Sequence, residues 1–331
     1  MLNNSINKTI LIKLSRESSF ILTLVVVLLM IIIGFFEPKF LGMSNIISLF
    51  RATSVYMILV TGMTFVIISA GIDLSHGALI ALGSIIASSL ILDHNMSIFL
   101  AIPLAVILGG IFGLVNGFMI SRFNLPPFIV TLAVGGIIRG LNLLISGGRV
   151  YYNYPSSLMW MGRGTVFKFI PVPVLIGILV MLIGHYLLDY TKFGRYVKAI
   201  GGNQEYASLA GINIVLYKTL VYILLGALAA FAGILLMARS GSTQVAVGEQ
   251  MILHTIASVI VGGTSLFGGR GTIYGSFLGA FLFSILSNII ILLGIGSLWH
   301  QVIVGIVVVL IVSVITVKEW LNRRTRGESL I

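Results

Sequence analysis

Residues that could carry out chemistry are few in this chain and do not form a catalytic pattern. The five histidines are scattered along the chain and show neither the H-E-x-x-H spacing nor any other metal-ligand spacing. They are His76, His94, His185, His254 and His300. The chain has no cysteine, which excludes thiolate metal sites and cysteine nucleophiles. No lysine follows a glycine, so the phosphate-binding loop G-x-x-x-x-G-K-[ST] is absent. The sequence therefore predicts a protein that is not an enzyme, binds no metal and does not hydrolyse ATP through such a loop.

One acid stands out by its position. Asp73 lies in "GIDLSHG", Gly71 to Gly77, between two long apolar runs. An ionisable side chain at membrane depth is costly and marks a functional residue by default. Alternatively, Asp73 and Ser75 cap the following helix at the cytoplasmic surface. Both interpretations stay open, and a structural or gating break is predicted here and in "GGTSLFGGRG", which contains Gly268, Gly269 and Gly271.

A second group of polar residues lies inside the apolar runs. A small uncharged solute needs hydrogen-bonding groups along its route, and asparagine, serine and threonine supply them. The alternative is that these side chains form hydrogen bonds between helices, worth about 0.6 kcal/mol each. An arginine there needs a partner or water, unless it extends toward the interface. The candidate pathway residues are Asn116, Arg139, Asn142 and Asn288.

The elements that hold these residues are apolar enough to lie in a bilayer. Of the 331 residues, 58% are hydrophobic and only 9% are charged, whereas a soluble domain has about 25% charged residues. A spanning helix needs about 20 mostly apolar residues. The sequence therefore predicts an all-α integral membrane protein, surrounded by lipid, with about ten spans and Gly-rich breaks. The spans lie near residues 18–36, 46–70, 76–92, 97–120, 127–146, 171–188, 217–237, 251–267, 272–293 and 299–317.

The basic residues predict which side of the membrane each loop occupies. With the N-terminus inside, thirteen of the 20 lysines and arginines lie on the cytoplasmic side, five lie outside and two lie within spans. Cytoplasmic loops carry such an excess, so both termini are predicted to be cytoplasmic. The net charge of +11 has the same cause, so no nucleic-acid partner is expected. The predicted parts are a cytoplasmic segment 1–17, a multi-pass membrane domain 18–317 and a cytoplasmic tail 318–331.

A charged insert, about residues 189–216, interrupts the apolar chain on the cytoplasmic side. Asn203 is a suitable N-cap for a short helix, Glu205 lies in its first turn, and Gly211 is a natural stop. A helix from Gln204 to Ala210 has only two turns and is too short to be stable alone in water. The helix therefore needs a surface to pack on, either the membrane face of the protein itself or a cytoplasmic partner.

Three stretches of the chain resemble permease subunits of bacterial ABC importers for ribose, xylose, galactose, allose and related sugars. They are "TGMTFVIISAGIDLSHGALIALG", "FGRYVKAIGGNQEYASLAGI" and "IASVIVGGTSLFGGRGTIYGSFLGA". The resemblance covers nearly the whole chain, in the expected order. His76 departs from it, since many members have a small or aliphatic residue there. The resemblance implies a multi-pass protein of the bacterial inner membrane that moves a monosaccharide by alternating access.

The resemblance also implies partners. Two permease subunits, identical or different, form the pathway, two ABC ATPase domains in the cytoplasm bind ATP and Mg, and an extracytoplasmic binding protein delivers the sugar. No cofactor is then expected on this chain itself. The insert looks like the loop that couples a permease to its ATPase. Its matching residues are Gly194, Arg195, Gly201, Gly202, Asn203, Glu205, Ala207, Gly211 and Ile212.

Other functions stay open at the level of sequence. A permease of the same family can carry a nucleoside or a furanosyl signalling molecule instead of a sugar. A secondary transporter or channel that works without partners is a further alternative, although ion coupling favours buried acids and the spans offer at most Asp73. A weak repeat relates the stretches that begin at Gly71 and Gly263, and chance explains it equally well.

Overall fold

The computed structural model describes residues 2–167 and 169–294 and the single positions 299, 302, 305, 306, 309 and 313. The tail 318–331 and most of the tenth predicted span, 299–317, lie outside these residues. The described chain is mostly helical, and its only strands have two residues each: β1 Tyr151–Tyr152, β2 Thr165–Val166, β3 Ile170–Pro171 and β4 Ser242–Thr243. Its helices are α1 Leu2–Phe36, α2 Met43–Ile68, α3 His76–Ser88, α4 Ile98–Arg122, α5 Pro127–Ser146, α6 Ser156–Arg163, α7 Val172–Tyr190, α8 Lys192–Gly202, α9 Gln204–Leu209, α10 Ile214–Ser240, α11 Met251–Val261 and α12 Ile273–Leu292.

Eight stretches of the described chain are long and apolar enough to cross a membrane. They are the apolar part of α1, then α2, α3 with the π-helical turn Ser89–Asp93, α4, α5, α7, α10 and α12. This result confirms the predicted all-α multi-pass class. α1 begins at Leu2, so its helix also includes most of the segment 1–17 that was expected to precede the membrane domain.

The eighth predicted span, 251–267, differs from the expectation. α11 has only 11 residues, which is about 16 Å of helix, and the apolar layer of a bilayer is about 30 Å thick. Residues 243–250, which we name the descending segment, lead from β4 into α11 and form consecutive turns from 245 to 250. The sequence assigned these residues to an outer loop.

The core of the molecule forms where α4 crosses α10. Glycines on α4 lie four residues apart, and a Cβ at Gly109 or Gly113 would overlap the backbone of α10. A Cβ at Gly226 would in turn overlap the backbone of α4. Small residues allow this close approach, in which van der Waals contact replaces the hydrophobic effect as the source of stability in lipid. The many glycines of the sequence therefore serve helix packing here.

The loop between α5 and α7 contacts the outer ends of α3 and α10. Asp93, at the end of the π-helical turn, accepts hydrogen bonds from Arg149 (2.6 Å) and from the Tyr151 hydroxyl (3.0 Å). The Tyr154 hydroxyl lies 2.8 Å from the Ser88 hydroxyl oxygen, and burial raises the pKa of Tyr154 to about 12. β1 pairs with β4, so this loop also holds the start of the descending segment.

Candidate functional site

The break between α2 and α3 is a buried polar cluster around Asp73. α2 ends at Ile68, and Ala70 turns the chain with a φ of 56°. The Asp73 Oδ1 atom accepts hydrogen bonds from the Ser75 backbone N–H (2.6 Å), the Ser75 hydroxyl (2.7 Å) and the His76 backbone N–H (3.1 Å). These bonds satisfy free donors at the start of α3. Because all three side chains are fully buried, this capping occurs inside the protein and not at the cytoplasmic surface.

Helices α4, α5 and α10 hold the same break from outside. Asn116 of α4 donates through Nδ2 to the Ser75 hydroxyl oxygen over 2.8 Å. Thr131 of α5 accepts a hydrogen bond of 3.1 Å from a backbone N–H of the break. Tyr222 of α10 donates to a backbone carbonyl of the break over 3.3 Å. Non-helical backbone at membrane depth is tolerated when protein groups satisfy it in this way.

The second Gly-rich break, residues 262–272, lies against the cytoplasmic end of α2. Gly268 and Gly269 have φ values of 84° and 75°, which favour glycine. The Gly269 N–H donates to the Ile68 carbonyl over 2.8 Å. At Gly271 a Cβ would crowd the Thr264 side chain. In the weak repeat Gly268 corresponds to His76, which begins a helix, so the two stretches have different local structures.

The charged insert folds as two helices, α8 and α9. The Thr191 hydroxyl accepts a hydrogen bond of 3.4 Å from the Gly194 N–H and caps α8. The Asn203 side chain accepts one of 3.0 Å from the Tyr206 N–H and caps α9, as its position in the sequence predicted. Gly211 follows α9 with a φ of 79°. The sequence did not predict α8 as a separate helix.

α8 places the insert in direct backbone contact with both breaks. A Cβ at Gly201 would overlap the Ile68 carbonyl oxygen and would lie 2.7 Å from the Gly269 nitrogen. A Cβ at Gly194 would overlap the backbone of Leu188, near the end of α7. Because backbone meets backbone at these points, no flexible side chain separates α8 from the end of α2 and the second break.

Side chains anchor the insert to the spanning helices that flank it. Lys198 of α8 forms an ion pair of 2.5 Å with Asp189 at the end of α7. The other carboxylate oxygen of Asp189 lies 2.9 Å from His185 Nδ1. Lys218 of α10 donates to the Gln204 side-chain oxygen of α9 over 3.1 Å. The insert is therefore connected at both of its ends to helices that enter the membrane.

One face of α9 is left uncovered by the chain. Tyr206 is 70% exposed and Leu209 is 79% exposed, whereas Ala207 faces inward and is buried. Glu205 is also exposed, and within the described residues it forms no ion pair. Two large apolar side chains beside a free carboxylate on a two-turn helix favour a cytoplasmic partner over the membrane face as the packing surface. Of the other matching positions, Arg195, Gly202 and Gly211 are exposed and Ile212 is half-buried.

The structure places the three candidate asparagines between helices. Asn116 and Asn142 are fully buried, and Asn142 donates to the Ala78 carbonyl of α3 over 3.1 Å. Asn288 of α12 exchanges two hydrogen bonds of 2.9 Å with Asn45 of α2. In this conformation the two buried amides line no open passage, and all three residues fit the interhelical alternative that the sequence left open.

Arg139 lies differently from the asparagines. It is the thirteenth of the 20 residues of α5 and is half-buried. Within the described residues its guanidinium forms no ion pair. It therefore stays a candidate for a water-filled or subunit-facing surface, since a charged side chain in the middle of a span does not favour lipid.

The polar residues of the descending segment are not recognisable as candidate site residues from the sequence alone. Gln244, Glu249 and Gln250 are exposed, and they were assigned to an outer loop. A signal was present in the glycine pair that follows Val261, which ends the apolar helix after 11 residues and leaves too little length for a full crossing.

Comparisons with known proteins agree with this architecture. A family model described as "Branched-chain amino acid transport system / permease component" matches residues 45–312. The ribose import permease protein of Haemophilus influenzae is 36% identical over 302 residues, which are 90% of this chain and 92% of that protein. The corresponding protein of Bacillus subtilis is 39% identical over 287 residues, 86% of this chain and 88% of its own length.

A further relative is named for a different sugar. The D-allose transport system permease protein of Escherichia coli is 33% identical over 287 residues, 86% of this chain and 86% of that protein. No solved structure matches the chain. The family model, which matches residues 45–312, covers the two breaks, the insert and the descending segment together.

Proposed function

The chain belongs to the family of branched-chain amino acid transport system permease components, and we propose that it is the membrane-spanning permease subunit of an ABC importer for a monosaccharide, with ribose as the first candidate. The observation that carries this function is the identity of 36% and 39% to proteins named ribose import permeases, over nearly the whole chain. The multi-pass helical architecture fits a bacterial inner-membrane location.

The geometry of the insert supports a mechanism for energy transfer. ATP and Mg are bound by partner ATPase chains, since this sequence has no phosphate-binding loop. The ATPase seats on the exposed face of α9 and moves it when ATP binds or is hydrolysed. α8 then transmits the movement to Ile68 and Gly269 through the backbone contacts at Gly201. Both breaks are displaced together, and the pathway opens alternately to the two sides.

Two further partners complete the importer. A second permease subunit packs beside this chain and closes the pathway laterally. An extracytoplasmic binding protein docks on the outer rim, where the loop between α5 and α7 covers the ends of α3 and α10. Neither interaction needs a cofactor on this chain, so the chain's contribution is a gated route and not a chemical reaction.

Uptake of radiolabelled ribose tests the proposal. Cells without their own ribose uptake receive this chain with the ATPase and binding protein of the same transport system. We expect saturable uptake that needs all three components and that unlabelled ribose inhibits. A competition series with allose, fructose and a nucleoside determines the substrate class. Transport by the chain alone, driven by an ion gradient, would instead support a secondary transporter.

A binding measurement tests where ATP acts. The purified chain in detergent should show no stoichiometric nucleotide binding, and binding should appear when the ATPase is added. Stoichiometric nucleotide binding to the chain alone would contradict the proposal that only the partner ATPase chains bind ATP.

A further inference from the structure

The descending segment enters the protein along α3. Its first residue, Thr243, has its hydroxyl oxygen 2.6 Å from that of Ser84 in α3. Further along, Gly248 lies directly on α3, because a Cβ on Gly248 would overlap the Gly77 carbonyl oxygen. The segment therefore follows α3 from Ser84 down to Gly77, against the direction of the α3 helix.

The inner end of the descending segment lies at membrane depth. α3 crosses α10 where a Cβ on Gly233 would overlap the backbone of Ile80. Gly233 is seven residues from the outer end of α10, and Gly77 is three residues further from the outer side than Ile80. At 1.5 Å per helical residue, Gly248 thus lies about 15 Å below the outer end of α10, well inside an apolar layer of about 30 Å.

Polar side chains point away from α3 along this segment. Thr243 and Gly248, which contact α3, are buried, whereas Gln244, Glu249 and Gln250 are exposed. Glu249 follows Gly248 directly, so its carboxylate is attached at the same depth. The free energy of placing a carboxylate in lipid at this depth is strongly unfavourable. Irregular backbone at this depth also needs protein or water around it.

Lipid is therefore an unfavourable neighbour for this surface. We propose that the descending segment forms a wall of the solute pathway, and that Glu249, Gln250 and Gln244 bind hydroxyl groups of an uncharged polyhydroxylated solute during passage. A carboxylate accepts two hydrogen bonds from neighbouring hydroxyls, and a glutamine amide both donates and accepts. The buried break around Asp73 supports α3 behind this wall, and the Asp73 carboxylate is bonded to Ser75 and His76 within the break itself.

The inference deepens the proposed function and rests on it for the identity of the solute. A second permease subunit that packs against this face encloses the exposed edge of the segment without contact to lipid. The water-lined route then lies between the two subunits. The location of the wall, however, depends only on the depth and exposure of the segment.

Labelling of single cysteines tests the wall independently of transport. The chain has no native cysteine, so Gln244→Cys and Glu249→Cys each introduce one thiol into an otherwise unreactive protein. We expect both thiols to react with a charged, membrane-impermeant methanethiosulfonate reagent in vesicles that hold the complete transporter. Labelling is measured without nucleotide and with ATP and vanadate, because alternating access opens the route to one side at a time.

Two control variants give the lowest and the highest labelling rates with which Gln244→Cys and Glu249→Cys are compared. Leu179→Cys replaces an apolar side chain of α7 that is 59% exposed, and it is expected to face lipid and remain unlabelled because ionic reagents react only in water. Trp160→Cys on the outer helix α6 replaces a side chain that is 56% exposed and should react fully. If Gln244→Cys and Glu249→Cys both react no faster than Leu179→Cys in either nucleotide state, the proposed wall is wrong.

Sugar protection and uptake test the binding role. Millimolar ribose should slow labelling of Glu249→Cys, and Glu249→Ala should reduce the uptake kcat/KM about tenfold or more, as expected for lost hydrogen bonds to a charged group. Membrane abundance and ATPase binding should stay unchanged. Labelled cysteines without protection by any sugar, and normal uptake by Glu249→Ala, would contradict the binding role. Labelled cysteines in a transporter that carries no sugar would instead contradict the proposed substrate and leave the wall in place.

Discussion

At the scale of single residues, polar side chains in the spans divide into two groups. Asn116 is buried and bonded to the break before α3, and Asn142 is buried and bonded to α3. Glu249 and Gln250 are exposed, and at their inferred depth lipid is an unfavourable neighbour for a carboxylate. Residue type does not separate the groups, since an amide serves equally well between helices and along a pathway. Their partners in the folded chain decide the role.

The position of Asn116 predicts a structural effect for its replacement. Asn116→Leu removes a hydrogen bond to the Ser75 hydroxyl beside the Asp73 carboxylate. Loss of a partner for buried polar groups costs about 1–3 kcal/mol, so thermal unfolding in detergent should begin at lower temperature. Val115→Leu, at an exposed apolar position of the same helix, is the matched control and should leave the midpoint unchanged. A raised KM for uptake with an unchanged midpoint would restore the pathway role of Asn116.

The exposed carboxylate of Glu205 predicts an effect on assembly. A negative charge in the first turn stabilises a helix by about 0.3–1 kcal/mol, whereas breaking a desolvated charge pair at an interface costs about 2–5 kcal/mol. If α9 docks through Glu205, Glu205→Lys should weaken ATPase binding by about one to several powers of ten. A pull-down of the ATPase, with binding-protein-stimulated ATP hydrolysis measured in parallel, distinguishes the small effect on helix stability from the larger effect on ATPase binding.

The control for Glu205→Lys is the same charge change on the other side of the membrane. Glu37→Lys lies in the connection between α1 and α2, at the outer end of both helices, and should leave ATPase binding unchanged. Normal co-purification and normal stimulated hydrolysis with Glu205→Lys would show that this residue does not take part in coupling. Coupling through the insert would then have to act through α8 and its backbone contacts.

At the scale of elements, the contact between α4 and α10 determines how closely the core packs. Gly113 of α4 lies so near Tyr222 that a Cβ would overlap the Tyr222 carbonyl oxygen. Tyr222 also donates to the backbone of the break before α3. A wider separation of the two helices therefore weakens the packing and moves the group that holds the break.

Two glycines of α4 provide a matched test of this packing. Gly113→Ala should destabilise the protein by about 1–3 kcal/mol, because added volume in a tight contact forces the backbones apart. At Gly110 the atoms nearest to a new Cβ are 3.7 Å away, an ordinary contact, so Gly110→Ala should be neutral or slightly stabilising in a helix. Thermal unfolding in detergent measures both. Equal midpoints for the two variants would contradict the close-packing role of Gly113.

At the scale of the whole molecule, the contacts are consistent with one orientation in the membrane. The loop between α5 and α7 meets the ends of α3 and α10 through Arg149 and β1. At the opposite end, the insert meets the second break through Gly201 and Gly269. Loops that the charge distribution assigned to the same side of the membrane thus contact one another in the folded chain.

The orientation predicts the side on which the C-terminal tail lies. A reporter that is active only in the periplasm, fused after Arg326, should be silent, because the excess of basic residues places both termini inside. The same reporter inserted after Trp160 in the outer loop should be active. Activity of the fusion after Arg326 would reverse the orientation and would place the insert on the side away from the ATPase.

The sequence by itself determined the class of the protein, most of the spans and the short helix of the insert. These features depend on local properties, namely the length of an apolar run for a span and the side chain of Asn203 for the start of α9. The resemblance in three stretches also indicated the family before any fold was known. These features depend only on residues that are adjacent in sequence, so they can be predicted without knowing which distant residues pack against them.

Only the tertiary structure decided which polar residues are buried and which are exposed. Asp73 caps α3 inside the protein because α4, α5 and α10 surround the break. The descending segment was assigned to an outer loop because nothing in its own residues shows that it lies along α3, in contact with Ser84 and Gly77. The depth and surroundings of a side chain in a membrane protein depend on elements distant in sequence that pack against it, and these contacts form only when the chain folds.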